Sequence, residues 1–109
     1  MTDDRAYRPE FDERLLAMGR EGRSWAEMAV GLGLNLPQFE AMIRDEPRFA
    51  AAVDLADQAA WDWWWNMGAA LARDPARARR QEGLWNAVMR QRYGARALNT
   101  GERPPLAGR

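Results

Sequence analysis

Neither cysteine nor histidine occurs in this 109-residue sequence. Their absence removes disulfides, thiol nucleophiles, zinc-finger ligands and the commonest general base. No nucleophile, base and orienting group can be assembled from the carboxylates and hydroxyls that remain. The expectation is therefore a protein that is not an enzyme, with no cofactor and no metal. Lysine is missing too: all 16 basic residues are arginine. That excludes a Gly-x-x-x-x-Gly-Lys-[Ser/Thr] phosphate loop. An all-arginine complement has two readings: the codon bias of a GC-rich genome, or the suitability of arginine for forked contacts to phosphate or carboxylate. No apolar run approaches the roughly 20 residues needed to span a bilayer. The start, Met1-Thr2-Asp3-Asp4, is acidic where a signal peptide is basic. A cytoplasmic protein with no membrane partner is expected.

A chain of this length holds one modest domain, or a very small one plus an element that completes its core in an oligomer. The net charge is zero, but it is unevenly distributed. Residues 1–72 carry 7 arginines against 13 acids, a net of −6, and residues 73–109 carry 9 against 3, a net of +6. Such a division points to different partners for the two halves, or to head-to-tail attraction between copies.

The apolar spacing is helical throughout. Tyr7, Phe11, Leu15 and Met18 mark a first helix with Pro9 in its first turn, ended by Gly19 and Gly22. Ser24-Trp25-Ala26-Glu27 is a capping box that starts a second, short helix with Trp25, Met28, Ala29 and Leu32 on its buried side. Asn35, with Gln38 three places on, caps a third, whose apolar side is Phe39, Met42 and Ile43. Pro47 then opens one long helix carrying Phe49, Val53, Ala56, Ala60, Trp64, Met67 and Leu71. Asp74-Pro75 ends it. A last helix from about Arg77 to Tyr93 carries Leu84, Trp85, Val88, Met89 and Tyr93. The predicted fold is all-α: a three-helix helix-turn-helix domain over residues 8–46, a long antiparallel hairpin over 47–94 that oligomerises, and a flexible tail over 95–109.

The helix-turn-helix expectation rests on Met28, Ala29, Leu32, Gly33, Leu34, Phe39 and Met42, which supply the small crossing residue, the turn glycine and the apolar offsets. The third helix is a poor DNA reader: its outward residues are Asn35, Leu36, Pro37, Glu40, Ala41 and Arg44, and residues 24–46 sum to −3. Asn35, Gln38 and Arg44 are the candidate DNA contacts there. Binding to duplex DNA is expected to be weak and to gain strength from many copies.

Trp61-Asp62-Trp63-Trp64-Trp65 is the most unusual segment. At about 100° per residue no single helix face holds all four indoles. Trp64, beside Met67, can pack on the last helix, whereas Trp61, Trp65, Gly68 and Ala72 form a second stripe that calls for a neighbouring subunit. Trp61, Trp63, Trp64, Trp65, Gly68 and Ala72 are thus the expected oligomer interface. Arg77, Arg79 and Arg80 cluster at a helix start, where positive charge is unfavourable and a phosphate or acidic partner is expected.

Taken in order, Tyr7-Arg8-Pro9-Glu10-Phe11, Ser24 to Gly33, Pro47-Arg48-Phe49 with Ala52, Trp64-Trp65, Leu84-Trp85 and Arg92-Tyr93-Gly94 resemble the small terminase subunits of tailed bacteriophages and related packaging elements such as gene transfer agents. The resemblance implies a ring-forming homo-oligomer that engages double-stranded DNA. It also implies a C-terminal segment, with Arg90, Arg92, Tyr93 and Arg96 as contacts, that docks on the large terminase subunit, the bearer of ATPase and nuclease. Met42 departs from the family pattern, which often has tryptophan there. Two other readings fit the same residues: a dimeric helix-turn-helix transcriptional regulator, and an interaction module that no longer binds DNA.

Overall fold

The computed structural model describes residues 7–106, which form six helices and no strand. The acidic start and the last three residues of the expected tail lie outside that range. The helices are α1 (Phe11–Arg20), α2 (Trp25–Gly31), α3 (Leu36–Asp45), α4 (Pro47–Ala72), α5 (Pro75–Tyr93) and α6 (Ala95–Thr100). They build two compact units, one ending at Ala60 and one beginning at Trp61.

The first unit contains α1, α2, α3 and the first part of α4. Its core is Phe11 and Leu15 of α1, Met28 and Ala29 of α2, Leu32 and Leu34 of the following turn, Phe39 and Met42 of α3, and Phe49, Val53 and Ala56 of α4. Phe49 is completely buried. Its ring centroid lies 5.4 Å from that of Phe39, 5.7 Å from Tyr7 and 6.3 Å from Phe11, all edge-on. Such edge-to-face pairs add about 0.5–1.5 kcal/mol each beyond the area they bury, so three helices and the segment before α1 are fastened through one side chain.

Helix α1 starts later than the apolar spacing predicts. Pro9 sits in a turn closed by the Phe11 N–H on the Arg8 carbonyl at 3.0 Å. Tyr7 stays outside the helix, packing on Phe49 and donating its hydroxyl to Asp12 at 2.7 Å. The two caps form as expected. The Ser24 hydroxyl accepts the Glu27 N–H at 3.2 Å while the Glu27 carboxylate accepts the Ser24 N–H at 3.0 Å. Asn35 and Gln38 exchange the same pair at 2.8 and 2.9 Å. Between these helices Gly33 takes φ +76°, a left-handed conformation that glycine adopts without a Cβ penalty. The Leu34 N–H thereby reaches the Ala29 carbonyl at 2.8 Å, and the Gly33 N–H reaches Val30 at 3.0 Å, the two bonds of a Schellman ending.

The second unit holds the rest of α4 with α5 and α6. Asp74 starts α5 two residues earlier than the spacing predicts, because its carboxylate accepts the Arg77 N–H at 3.2 Å and Pro75 occupies the first turn. The tail expectation is corrected over part of its length. Ala95–Thr100 form α6, with Ala97 buried beside Met89, Tyr93 and Trp61 and with Leu98 packed against them. Burying Ala97 and Leu98 supplies apolar contacts that the polar flanking sequence conceals.

Gly19 of α1 lies directly on the backbone of Ala56, and a Cβ there would collide with the Ala56 carbonyl. Gly19→Ala should therefore destabilise the protein by roughly 1–3 kcal/mol, although alanine is the better helix former by about 1 kcal/mol. Urea denaturation followed by circular dichroism measures the difference; an unchanged midpoint would mean that the two backbones do not touch.

Candidate nucleic-acid and assembly surfaces

The tryptophan segment packs largely on its own chain. Trp61 and Trp65, one turn apart on α4, stack with centroids 5.0 Å apart and planes 14° apart, and Tyr93 of α5 meets Trp61 edge-on at 4.9 Å. The Trp85 indole N–H donates to the main-chain carbonyl of Trp64 at 2.6 Å. Its ring lies over Gly68, where a Cβ would collide with it. Arg92 is placed over the face of Trp64, 4.8 Å from the ring centroid, a cation–π contact. Trp63 touches Trp64 at 4.9 Å and is 37% exposed.

Of the expected assembly residues, several are already covered within the chain. Trp61 is buried and Gly68 is covered by Trp85, so neither needs a neighbouring subunit. Trp65 is half-buried between Trp61 and Trp85, and Trp63 and Ala72 remain exposed. The helical wheel counts faces correctly, but α5 and α6 together cover more of α4 than one antiparallel neighbour would. Among the expected partner contacts, Arg90 and Arg96 are exposed, Arg92 is half-buried on Trp64, and Tyr93 belongs to the core.

Asn35 and Gln38 are brought together, but as each other's caps, so the carbonyl oxygen of each amide is already in use. Arg44, exposed near the end of α3, is the one cation of that helix. Arg77, Arg79 and Arg80 are all exposed on α5. They do not form one patch: at about 100° per residue Arg79 points roughly 160° away from Arg77 and about 100° away from Arg80. The Arg77 side chain donates to Gln81 at 3.0 Å.

Three features went unanticipated. Asp57, 3% exposed, accepts the Trp25 indole N–H at 3.1 Å and ties the start of α2 to α4; an acid on the apolar side of a helix was the available signal. Leu84, expected in the core stripe of α5, is 69% exposed, because Trp85, Met89 and Tyr93 define the buried side. Val30 is 75% exposed. A cavity of about 290 Å³ at the α4–α5 corner is lined by Gly68, Leu71, Ala72, Pro75, Ala78, Trp85 and a single titratable group, Glu82. Among the described residues no group of acids is placed to hold a metal ion, and no helix is long and apolar enough to cross a membrane. Comparison with protein-family models, curated proteins and solved structures finds no match to this chain.

Two variants test this geometry. Gly68→Ala pushes a methyl into the Trp85 ring and should cost about 1–3 kcal/mol, with a change in tryptophan fluorescence that Gly83→Ala, where a Cβ meets open space, does not produce. The second concerns the α2 cap. Bonding to the Ser24 N–H, then to Arg23, holds the Glu27 carboxyl below its ordinary value. Its contribution is therefore complete above the ordinary glutamate range, about pH 4.3, and is lost as pH falls through the lowered folded value. The stability gap between wild type and Glu27→Gln in urea titrations should narrow on acidification; a constant gap would show that Glu27 ionisation does not support the cap.

Proposed function

We propose that this chain is a non-catalytic, small-terminase-type subunit for packaging viral or gene-transfer-agent DNA. In this reading it assembles into a ring, holds double-stranded DNA weakly with little sequence preference, and recruits or regulates a large terminase subunit. The observation that carries it is the α2–α3 pair. The Ser24 box starts the first helix, Gly33 turns the chain at φ +76°, and Met28, Ala29, Leu32, Leu34, Phe39 and Met42 are buried. These are the offsets that a helix-turn-helix requires. A hairpin over α4 and α5 is supported by the order of contacts: Trp61 meets Tyr93, whereas Trp64 and Gly68 meet Trp85. That order is antiparallel.

The same residues explain why binding is weak. Helix α3 offers one cation, and its two amides are engaged in a cap. Duplex affinity then comes from phosphate contacts by Arg44 and by the arginines of α5, multiplied over copies. Exposed Trp63, Arg90 and Arg96 remain for contacts with neighbours and with the large subunit. The net charge of −3 over residues 24–46 favours, as a second reading, an interaction module that keeps this shape without touching DNA.

Native mass spectrometry and gel-shift titrations test the proposal together. The expected result is an assembly well above a dimer that shifts any duplex at similar concentrations, with affinity falling steeply in salt and weakened by Arg44→Glu. A dimer with tight, sequence-selective binding would make the chain a transcriptional regulator. A shift absent at low salt would leave the interaction module.

A further inference from the structure

The outward face of α5 combines charge with one large apolar side chain. Trp85, Met89 and Tyr93 pack inward, whereas Arg77, Arg80 and Leu84 fall within an arc of about 60° on the opposite side of the helix. Leu84 is 69% exposed. Arg80 forms no hydrogen bond or salt bridge among the described residues. A twofold pairing of this face that passes near Arg77 and Arg80 would set like charges together, whereas an acidic surface would meet both arginines with opposite charge. Duplex DNA would satisfy the arginines and leave Leu84 without an apolar partner.

An acidic protein surface with an exposed apolar group meets both needs, and the chain carries one. Residues 7–60 hold ten acids against six arginines, a net of −4, and residues 61–106 hold eight arginines against four acids, a net of +4. On α3, Leu36 is 37% exposed and Glu40, one turn further on, is exposed and in no salt bridge among the described residues. The spacing Leu36–Glu40 mirrors Arg80–Leu84 in reverse.

We propose that α5 of one copy docks antiparallel on α3 of a second copy, with Leu84 against Leu36 and Arg80 beside Glu40. The contact is head-to-tail, so it closes into a ring or continues as a chain. It covers the outward face of α3, which accounts for a helix-turn-helix that reads few bases. The same register carries Arg44 toward Arg77 of the other copy, a like-charge pair that opposes the contact and holds it weak, and leaves Arg79, on a different side of α5, free for phosphate. This inference deepens the self-assembly part of the proposed function and rests on it.

Light scattering and sedimentation of the full chain, across concentration and salt, test the contact. Wild type should exceed the 12.5 kDa of one copy and approach it at high salt. Leu84→Asp, Arg80→Glu and Glu40→Arg should each lie near one copy with unchanged helicity. An equimolar mixture of Arg80→Glu and Glu40→Arg should regain mass, and Arg44→Glu should strengthen association while weakening DNA binding. Association that persists in all three variants would overturn this contact and leave the ring intact. A wild type of single-copy mass at every concentration would overturn both. Loss of affinity for random duplex in Arg80→Glu, with no change of mass, would make DNA the occupant and overturn the docking.

Discussion

A short chain has little apolar surface to bury, and here α4 must supply two cores in succession. Phe49, Val53 and Ala56 fill the first unit, Trp61 and Leu71 the second. With so few positions available, each core is organised by aromatic rings, which bury the most area per residue. Phe49 gathers Tyr7, Phe11 and Phe39 around itself. In the second unit Trp61, Trp65, Trp85 and Tyr93 pack in sequence, while Gly68 leaves room for the Trp85 ring. The Trp85 N–H finds a helix carbonyl, so the polar end of the indole is satisfied within the core it helps to fill.

Much of this could be read from residue order. Both capping boxes, the Gly33 turn and the long helix from Pro47 rest on local rules, in which a side chain answers a backbone group three residues away, and local rules survive folding. What could not be read was which partner covers which face. The spacing of Trp61, Trp65 and Gly68 identifies a stripe but not its occupant, and α6 was concealed because Ala95–Thr100 has only Ala97 and Leu98 to bury. Leu84 was misplaced for a related reason. Beside Trp85 it satisfies the same spacing, and only the positions of Met89 and Tyr93 decide which of the two turns inward.

Charge is separated along the chain in the same way that the cores are. The acidic residues accumulate before Arg73, and the arginines accumulate from Arg73 onward. Electrostatic attraction between such halves acts over about one Debye length, roughly 8 Å at physiological salt, and sets orientation and partner choice more than raw affinity. A chain of zero net charge can therefore still carry two regions of opposite charge.

The pairing of Asn35 with Gln38 sets a limit on what α3 can become. Both stand at the start of the helix, where the amide oxygen of each accepts the backbone N–H of the other. Exchanging Gln38 for arginine, which has no acceptor, would remove one half of that support. Exchanging Asn35 would remove the cap itself, at about 1 kcal/mol. These two positions are therefore committed to starting the helix, and any other polar task given to either side chain comes at the expense of that start.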